Sequence, residues 1–397
     1  MKGKDTTRKF ERKLRMGLVG GGRDSLIGSV HYMAAILDGG VELAAGAMSS
    51  TPEKARLSAM DYYIGDDRAY GRWEEMLERE NALPADRRLD FVSIVTPNHL
   101  HYPIAKAFVD AGFHVILDKP MVHTSEQAKG LIDAVEAGGG VLAVTYNYTG
   151  YPMVKQARHM VQSGKVGEIR KVVVEYAQSW LLTKVEEAGN KQAAWRTNPE
   201  QAGLGGAIGD IGSHAENLIS TITALEMAEI CADLTHFLPG RRLDDDANVL
   251  IRFTNGAKGI LVASQVSTGN ENNLSIHLFG TEGALSWYQE HPNYLTYAPA
   301  DAPAQILSRG NDYLCPAAQR AARLPSGHPE AFIEAFANVY HNATDTIRAR
   351  LMGTTPTELE LDFPTVYDGA RGVFFIEKVV ENSQGTQKWT PARWKRA

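Results

Sequence analysis

The sequence has few cysteines and lacks a long apolar run. Its 397 residues include two cysteines, Cys231 and Cys315, which have neither the paired spacing of a zinc site nor a CxxC redox motif. We therefore expect a reduced, cytoplasmic compartment and no bound metal. No apolar stretch is long enough to cross a bilayer, so we expect no membrane partner.

An excess of positive charge is also lacking. The 47 acidic residues outnumber the 41 basic ones, giving a net charge of −6, so we expect no nucleic-acid partner. The basic stretch at the start, MKGKDTTRKFERKLR, has no apolar segment of the kind that a secretory signal needs. We expect residues 1–13 to be a disordered leader. The length and the 44% hydrophobic content predict two domains or one large one, with ample core.

The first half alternates short apolar runs with helical patterns. The runs predict five strands, at Leu14–Val19, Val41–Met48, Leu89–Val95, Phe113–Leu117 and Val141–Tyr146. Amphipathic stretches between them predict helices. Continuously apolar strands that alternate with helices are typical of a doubly wound parallel sheet, so residues 14–147 are expected to form a Rossmann domain.

The second half has a different rhythm. Long alternating segments follow residue 150, with turn signals at Asn255-Gly256 and Glu282-Gly283 at hairpin distance, and two helical patterns close the chain. Residues 148–397 are therefore predicted to form an α+β domain with a large, mostly antiparallel sheet. We expect helices to cover one face of that sheet.

A glycine-rich loop, VGGGRDSLIGSVH at Val19–His31, follows the first predicted strand and opens a helix. Bare glycines let the pyrophosphate of a dinucleotide approach backbone amides at a helix N-terminus. Ser25 stands at the third glycine position, but treating residues 23–25 as an insertion restores the pattern. The predicted contacts with NAD or NADP in this loop are Gly20, Gly22, Arg23, Ser25, Ile27 and Gly28.

The end of the second strand carries Ser49 and Ser50, where an acid usually binds the adenosine ribose. Without a carboxylate a 2′-phosphate is not repelled, yet no arginine follows immediately to bind one. The choice between NAD and NADP therefore stays open.

Two further blocks resemble one enzyme family. TPNHLHYPIAKAFVDAGFHVILDKP at Thr96–Pro120 resembles the TPN-xx-H and E-K-P blocks of the Gfo/Idh/MocA oxidoreductases, and GGAIGDIGSHAENL resembles their D-xxx-H block. The similarity spans residues 14–390. It implies a Rossmann domain, a C-terminal α/β domain whose open sheet often forms dimers or tetramers, and hydride exchange between NAD(P) and a sugar or cyclitol hydroxyl.

The resemblance also implies roles for individual residues. Lys119 matches the catalytic lysine, Asp210 the substrate-binding aspartate and His214 the acid–base histidine. The family's lysine–proline bond is often cis, so we expect the same at Lys119–Pro120. The further cofactor contacts that the resemblance implies are Thr96, Pro97, Asn98, His101 and Asp118, the last of which replaces the family's glutamate.

The chemistry of these residues suits alcohol oxidation. Such a reaction needs a base for the hydroxyl proton and positive charge for the developing alkoxide. An ammonium at Lys119 supplies the charge, and an imidazole at His214 accepts the proton. Asp210, one helical turn before His214, can bind a neighbouring hydroxyl or orient the imidazole. We interpret five glycines as clearing the backbone for polyol and nicotinamide: Gly203, Gly205, Gly206, Gly209 and Gly212.

Four other residues are weaker candidates for substrate binding. Asn147 and Tyr148 lie at the predicted domain junction, and Trp195 and Arg196 precede the glycine block. Tryptophan can stack on a sugar face and arginine can bind an anionic group. Structural packing explains each of them equally well.

Three functions are compatible with the sequence. The leading one is an NAD(P)-dependent dehydrogenase of a small sugar, cyclitol or sugar derivative. The second is a glycosidase that uses NAD transiently, by oxidation, elimination, hydration and re-reduction. The third is a nucleotide-sensing regulator, which the lysine, aspartate and histidine disfavour because a sensor needs no proton transfer.

Overall fold

A computed structural model describes residues 10–396. Of the predicted leader, residues 1–9 lie outside this part. Its end is attached to the first domain, because Arg12 donates to both carboxylate oxygens of Asp90 at 2.6 and 2.8 Å. No helix in the described part of the chain is long and apolar enough to cross a membrane.

The first half forms a five-stranded parallel sheet in the order β2-β1-β3-β4-β5. Its strands are β1 (Leu14–Gly20), β2 (Val41–Ala47), β3 (Phe91–Val95), β4 (His114–Leu117) and β5 (Leu142–Val144). Every residue of β3 is buried, as expected of a central strand with helices on both faces. The predicted Rossmann sheet is confirmed.

Helices cover both faces of this sheet. Those of the first half are α1 (Leu26–Ile36), α2 (Pro52–Asp61), α3 (Trp73–Asn81), α4 (His101–Asp110) and α5 (Ser125–Gly138). One face packs on α3, α4 and α5 through residues such as Met76, Phe108 and Leu131. The other face packs on α1 and on a helix from the far end of the chain.

The second half forms a nine-stranded sheet in the order β13-β12-β11-β10-β6-β9-β8-β7-β14. All of its pairs are antiparallel except β6 with β9, so the predicted sheet type is confirmed. Its strands are β6 (Ile169–Ala177), β7 (Met227–Thr235), β8 (Asp246–Phe253), β9 (Lys258–Ser264), β10 (Asn273–Gly280), β11 (Gly283–Tyr288), β12 (Tyr294–Pro299), β13 (Gln305–Ser308) and β14 (Thr390–Pro391).

The helices of the second half serve both sheets. They are α6 (Pro152–Gln162), α7 (Lys191–Arg196), α8 (Pro199–Ala202), α9 (Ser213–Thr223), α10 (Pro316–Arg320), α11 (Phe332–Leu351) and α12 (Val366–Gln384). Helices α6, α9 and α12 pack on one face of the nine-stranded sheet, as expected. Helix α11 instead covers the parallel sheet, with Phe336, Tyr340 and Ile347 against Phe91 and Ile116. The apolar stripe of a helix does not specify which sheet it will cover.

Candidate active site

An ion pair joins the two halves of the molecule at the carboxyl edge of the parallel sheet. Lys119 lies just beyond β4, and its Nζ donates to Asp210 Oδ1 at 2.7 Å and to the Asp210 carbonyl oxygen at 2.6 Å. The side chains of Lys119 and Asp210 are 13% and 19% exposed, so the pair is held in a cleft and still open to a small molecule. The peptide bond Lys119–Pro120 is cis, as expected.

Two further side chains face the second carboxylate oxygen of Asp210. Gln265 Nε2 donates to Oδ2 at 2.8 Å, and Arg196 Nε lies 3.4 Å from the same atom. Burial alone would raise the pKa of Asp210, but the charges of Lys119 and Arg196 outweigh it and hold that pKa well below its usual range. Asp210 is therefore an anion that fixes the lysine.

The aspartate lies in a different kind of helical turn from the histidine. Residues Ile208–Gly212 form a π-helical turn, and α9 begins only at Ser213. A π turn changes the angular relation between residues four apart, and the carboxylate oxygens of Asp210 accept from Lys119 and Gln265. Among the described residues, the Asp210 carboxylate thus makes no hydrogen bond to His214, and its predicted role of binding a neighbouring substrate hydroxyl or orienting the imidazole stays a prediction.

Aromatic rings surround His214 instead. Its ring centroid lies 4.8 Å from that of Tyr148, 5.6 Å from Tyr146 and 6.3 Å from Tyr176. The residue is 6% exposed, and Nδ1 is buried without a hydrogen-bond partner among the described residues. Burial, together with the nearby ammonium of Lys119, holds the pKa of His214 well below its ordinary value. The imidazole is thus neutral and able to accept a proton.

The glycine block serves packing more than ligand access. A Cβ on Gly206 would lie 2.0 Å from the Asp244 carbonyl oxygen, and one on Gly212 would lie 2.6 Å from the Ile208 side chain. Of the five glycines, only Gly209 has open space where a side chain would be. The interpretation that all five clear room for substrate and nicotinamide is wrong, because most of them touch other parts of the protein.

Asp244 fastens this block to the nine-stranded sheet. Its carboxylate accepts from the Gly206 amide at 2.6 Å and from the Ile208 amide at 2.7 Å. Burial raises the pKa of Asp244 to about 6, although these amides oppose the shift. The residue lies just before β8, so the sheet sets the position of the π turn and, through it, of Asp210.

The glycine-rich loop has the shape that a dinucleotide needs. Gly20 has φ +79°, and a Cβ there would lie 2.6 Å from the Val95 carbonyl oxygen. A Cβ on Gly28 would lie 1.9 Å from the Gly21 carbonyl oxygen, so α1 packs directly on the loop. Ser25 caps α1 by accepting from the Gly28 amide at 3.2 Å. These contacts are those expected if residues 23–25 are an insertion.

Other predicted cofactor residues rim this loop. The Arg23 guanidinium pairs with the exposed carboxylate of Asp61 on α2. Ile27 packs against the apolar residues beneath the loop. Ser49 and Ser50 lie between β2 and α2, where Ser49 Oγ accepts from the Thr51 amide at 3.2 Å. No acidic side chain occupies this turn.

The Thr96–Asn98 loop leaves β3 beside Lys119. Thr96 Oγ1 is buried without a partner among the described residues, Pro97 is half-buried, and Asn98 Nδ2 donates to the Ala202 carbonyl oxygen at 2.9 Å. His101 is fully buried, and each ring nitrogen lies 2.9 Å from a backbone carbonyl, of Thr96 or Pro120. His101 therefore holds the loop from inside the protein and does not face the cleft.

Asp118 connects the lysine loop to the interior. Its Oδ1 accepts from the Lys119 amide at 2.9 Å and from Thr145 Oγ1 at 2.8 Å, and it lies 3.8 Å from His31 Nε2. Burial opposes its ionisation, but His31 and Lys119 outweigh burial and hold the pKa of Asp118 far below its usual value. The carboxylate is thus a fixed negative charge behind Lys119.

The weaker substrate candidates lie near the same cleft. Trp195 stacks with the Arg196 guanidinium, whose central carbon lies 4.1 Å from the ring centroid. Tyr148 makes a short hydroxyl–hydroxyl contact with Tyr176, and Asn147 is buried with no partner for its Nδ2 within residues 10–396. The structure thus brings Arg196 close to Asp210 and Tyr148 close to His214.

Sequence reasoning missed a polar wall beside His214. Tyr176 Oη and Gln178 Nε2 both donate to Asn272 Oδ1 at 2.7 Å, and Trp180 Nε1 donates to Gln178 Oε1 at 3.0 Å. These residues lie at the end of β6 and just before β10. Gln265, the partner of Asp210, was also missed. No local pattern marks such residues, because their meeting depends on the pairing of distant strands.

Comparisons with known proteins agree with this arrangement. A model described as an oxidoreductase family with an NAD-binding Rossmann fold matches residues 14–146, and one for the Gfo/Idh/MocA C-terminal domain matches residues 154–286. The chain is 31% identical over 385 residues to the uncharacterized oxidoreductase YfiI of Bacillus subtilis, covering 96% of this chain and 97% of that protein.

Two further relatives have more descriptive names. Levoglucosan dehydrogenase of Pseudarthrobacter phenanthrenivorans is 28% identical over 336 residues, 77% of this chain and 81% of that protein. A crystal structure of an inositol dehydrogenase homolog from Azotobacter vinelandii, complexed with NADH and myo-inositol, is 31% identical with a TM-score of 0.89, covering 96% and 98% of the two chains. The protein therefore belongs to the Gfo/Idh/MocA family of NAD-binding oxidoreductases.

Proposed function

We propose that this protein is a dehydrogenase that transfers a hydride between NAD(P) and a secondary hydroxyl of a cyclitol, sugar or sugar derivative. The observation that carries the proposal is the ion pair between Lys119, from the Rossmann half, and Asp210, from the other half. Asp210 lies four residues before His214 in the sequence. Relatives named for levoglucosan and inositol support a polyol substrate.

Each polar group has a role in this reaction. NAD(P), when bound at the glycine-rich loop, would supply the hydride acceptor. The Lys119 ammonium donates a hydrogen bond to the reacting oxygen and stabilises negative charge on it. His214, neutral because it is buried, accepts the hydroxyl proton at Nε2, the ring nitrogen left for the substrate because Nδ1 is enclosed. Asp210 holds the lysine in place, and Asp210 and Arg196 bind a neighbouring hydroxyl of the substrate.

The open turn after β2 bears on the choice between NAD and NADP. Ser49 and Ser50 place no carboxylate there, and Lys54 Nζ lies nearby in an ion pair with Asp24 at 2.8 Å. We propose that the site accepts either cofactor. Replacing Ser49 by Asp should then weaken NADP binding far more than NAD binding, measured by fluorescence titration of the reduced cofactors.

The proposed activity is tested with purified protein, NAD or NADP, and a panel of inositols, aldoses and anhydrosugars. Reduction of the nicotinamide is followed by absorbance. We expect turnover of at least one polyol, and loss of roughly 10²-fold or more in kcat on replacing Lys119 or His214 by Ala. The matched control is Lys129→Ala, because Lys129 is an exposed lysine that pairs with Asp133 on α5.

Two outcomes would contradict the proposal. The dehydrogenase reading fails if no compound on the panel is oxidised, or if the Lys119 and His214 variants keep the wild-type rate. Release of free sugar from a glycoside without net reduction of the cofactor would instead support the NAD-dependent glycosidase.

We also propose that the protein forms a homo-oligomer through the uncovered face of the nine-stranded sheet. This face carries Leu250, Phe279 and Tyr288, which are 46%, 44% and 44% exposed. Apolar residues this exposed on one sheet face favour association. Light scattering coupled to gel filtration should give a dimer or tetramer, and Leu250→Glu should shift it towards monomer.

A further inference from the structure

Unpaired polar atoms are concentrated behind His214. Buried atoms without a hydrogen-bond partner among the described residues include Tyr146 Oη, His214 Nδ1, Glu216 Oε2, Arg371 Nε and both amide atoms of Asn217. Buried polar groups are nearly always hydrogen-bonded, to protein or to ordered water. A cluster of them in one place indicates a hydrated cavity.

Three of these side chains, His214, Glu216 and Asn217, lie on α9, and Arg371 lies on the neighbouring α12. Successive residues of a helix are turned by about 100°, so Asn217 lies between His214 and Glu216 on the helix surface. Tyr146 packs its ring against His214, while its hydroxyl reaches α12, where a Cβ on Gly372 would lie 2.2 Å away. The Tyr146 side chain therefore reaches from the imidazole to α12, which also carries Arg371 beside the Glu216 carboxylate.

The charges around Glu216 favour proton uptake. The residue is 1% exposed, and its Oε1 lies 3.3 Å from Arg371 Nε. The same arginine donates to Asp368 Oδ1 at 2.7 Å. Two carboxylates therefore share one guanidinium, with Tyr146 as the other titratable neighbour. Burial raises the pKa of Glu216 to about 7, although Arg371 opposes the shift.

We propose that Tyr146, Glu216, Asn217 and Arg371 form a proton store behind His214, in which Glu216 holds the proton taken from the substrate. This inference rests on the proposed dehydrogenase function. It follows from a conflict in the site: an imidazolium at His214 would be buried beside the Lys119 ammonium. Moving the charge to Glu216 leaves a neutral ring and a neutral carboxylic acid.

The proton count balances. One proton enters the imidazole at Nε2 from the substrate hydroxyl, and one leaves at Nδ1 through water to the Glu216 carboxylate. After product release, Nε2 loses its proton to solvent and Nδ1 regains one from the store. One proton is thus released to solvent for each polyol oxidised.

The test compares Glu216→Gln with the wild type in single-turnover kinetics. We expect hydride transfer to slow by about tenfold or more and its pH profile to change, while KM and the cofactor Kd stay the same. Tyr146→Phe, which removes only the hydroxyl, should also slow hydride transfer. It provides the test if Glu216→Gln does not fold. Glu330→Gln is the control, because Glu330 is a buried carboxylate paired with Arg309 elsewhere.

Infrared spectroscopy of the resting protein supplies a readout without turnover. A carbonyl band of a protonated carboxyl that titrates near pH 7 should appear in the wild type and in Glu330→Gln and should be absent in Glu216→Gln. The band of the buried Asp244 carboxyl, which titrates near pH 6, should remain in all three proteins. The proton store is overturned if Glu216→Gln keeps the wild-type rate and pH profile, or if the Glu216 band is missing from the wild type. If the Glu216 band is present but no polyol is oxidised, it is the proposed function that fails.

Discussion

Single residues in this site owe their ionisation to their surroundings. His214 is neutral because imidazolium would be buried next to an ammonium, and Asp210 is an anion because two cations face it. The two groups are only four residues apart, yet the pKa of Asp210 is lowered by neighbouring positive charges and that of His214 mainly by burial. Sequence spacing gives the identity of the groups, and the contacts from other elements decide their charge.

The pH dependence of catalysis follows from His214. The residue accepts a proton only when neutral, and its pKa lies below the ordinary histidine value of about 6.5. In Glu216→Gln, which lacks the proton store, the kcat/KM for polyol oxidation should therefore stay level as the pH falls through 6.5 and decline only in more acidic buffer. In the wild type it should decline near pH 7, where the Glu216 carboxylate becomes protonated and can no longer take up a proton. Initial rates across a buffer series measure both profiles. A decline centred above pH 6.5 in Glu216→Gln would contradict the assignment of His214 as the base.

The raised pKa of Glu216 predicts a pH-dependent stability. The folded protein keeps this carboxyl protonated up to about pH 7, whereas the unfolded chain loses the proton near 4.3. The folded state binds more protons between these values, so stability falls as the pH rises through this window, by up to about 4 kcal/mol.

Glu216→Gln removes this titration. In urea unfolding, the stability of the variant relative to the wild type should therefore increase between about pH 5 and pH 8. A difference that does not change with pH would contradict the protonated carboxyl.

At the scale of elements, the contact of α1 with the glycine loop sets the cofactor site. Gly28→Ala places a Cβ where the Gly21 carbonyl oxygen lies, so the helix must shift away from the loop. We expect a loss of stability of about 1–3 kcal/mol and a weaker cofactor Kd, measured by thermal unfolding and fluorescence titration.

Gly138→Ala is the matched control on a helix. Gly138 ends α5, and a Cβ there would meet its nearest atom at 3.8 Å, an ordinary contact. This variant should bind the cofactor as the wild type does. Equal effects of the two substitutions would show that the contact between α1 and the loop has no special role.

The sequence predicts some elements of this structure and not others. The five parallel strands are readable because they are continuously apolar, and Lys119 and His214 because they lie in short motifs. The π turn at Ile208–Gly212 is not readable, since it depends on Asp244 binding the Gly206 and Ile208 amides from a distant segment. Gln265 meets Asp210 only through the pairing of strands far apart in the chain.

At the scale of the whole molecule, the two halves share their cores. Helix α11 covers one face of the parallel sheet, and α12 packs Val373 into one core and Val379 into the other. A fragment of residues 10–150 would expose Phe91, Ile116 and their neighbours. We expect it to be unfolded or aggregated, and the full chain to unfold in one transition, by circular dichroism. A folded monomeric fragment would contradict this shared core.

The central claim is that an amine from one half and an imidazole from the other meet at one carbinol beside the nicotinamide. A crystal structure of the protein with NAD and an oxidisable cyclitol tests it most directly. We expect one hydroxyl within hydrogen-bond distance of both Lys119 Nζ and His214 Nε2, with its carbon facing the nicotinamide ring. A cyclitol bound with its hydroxyls away from either nitrogen would contradict it.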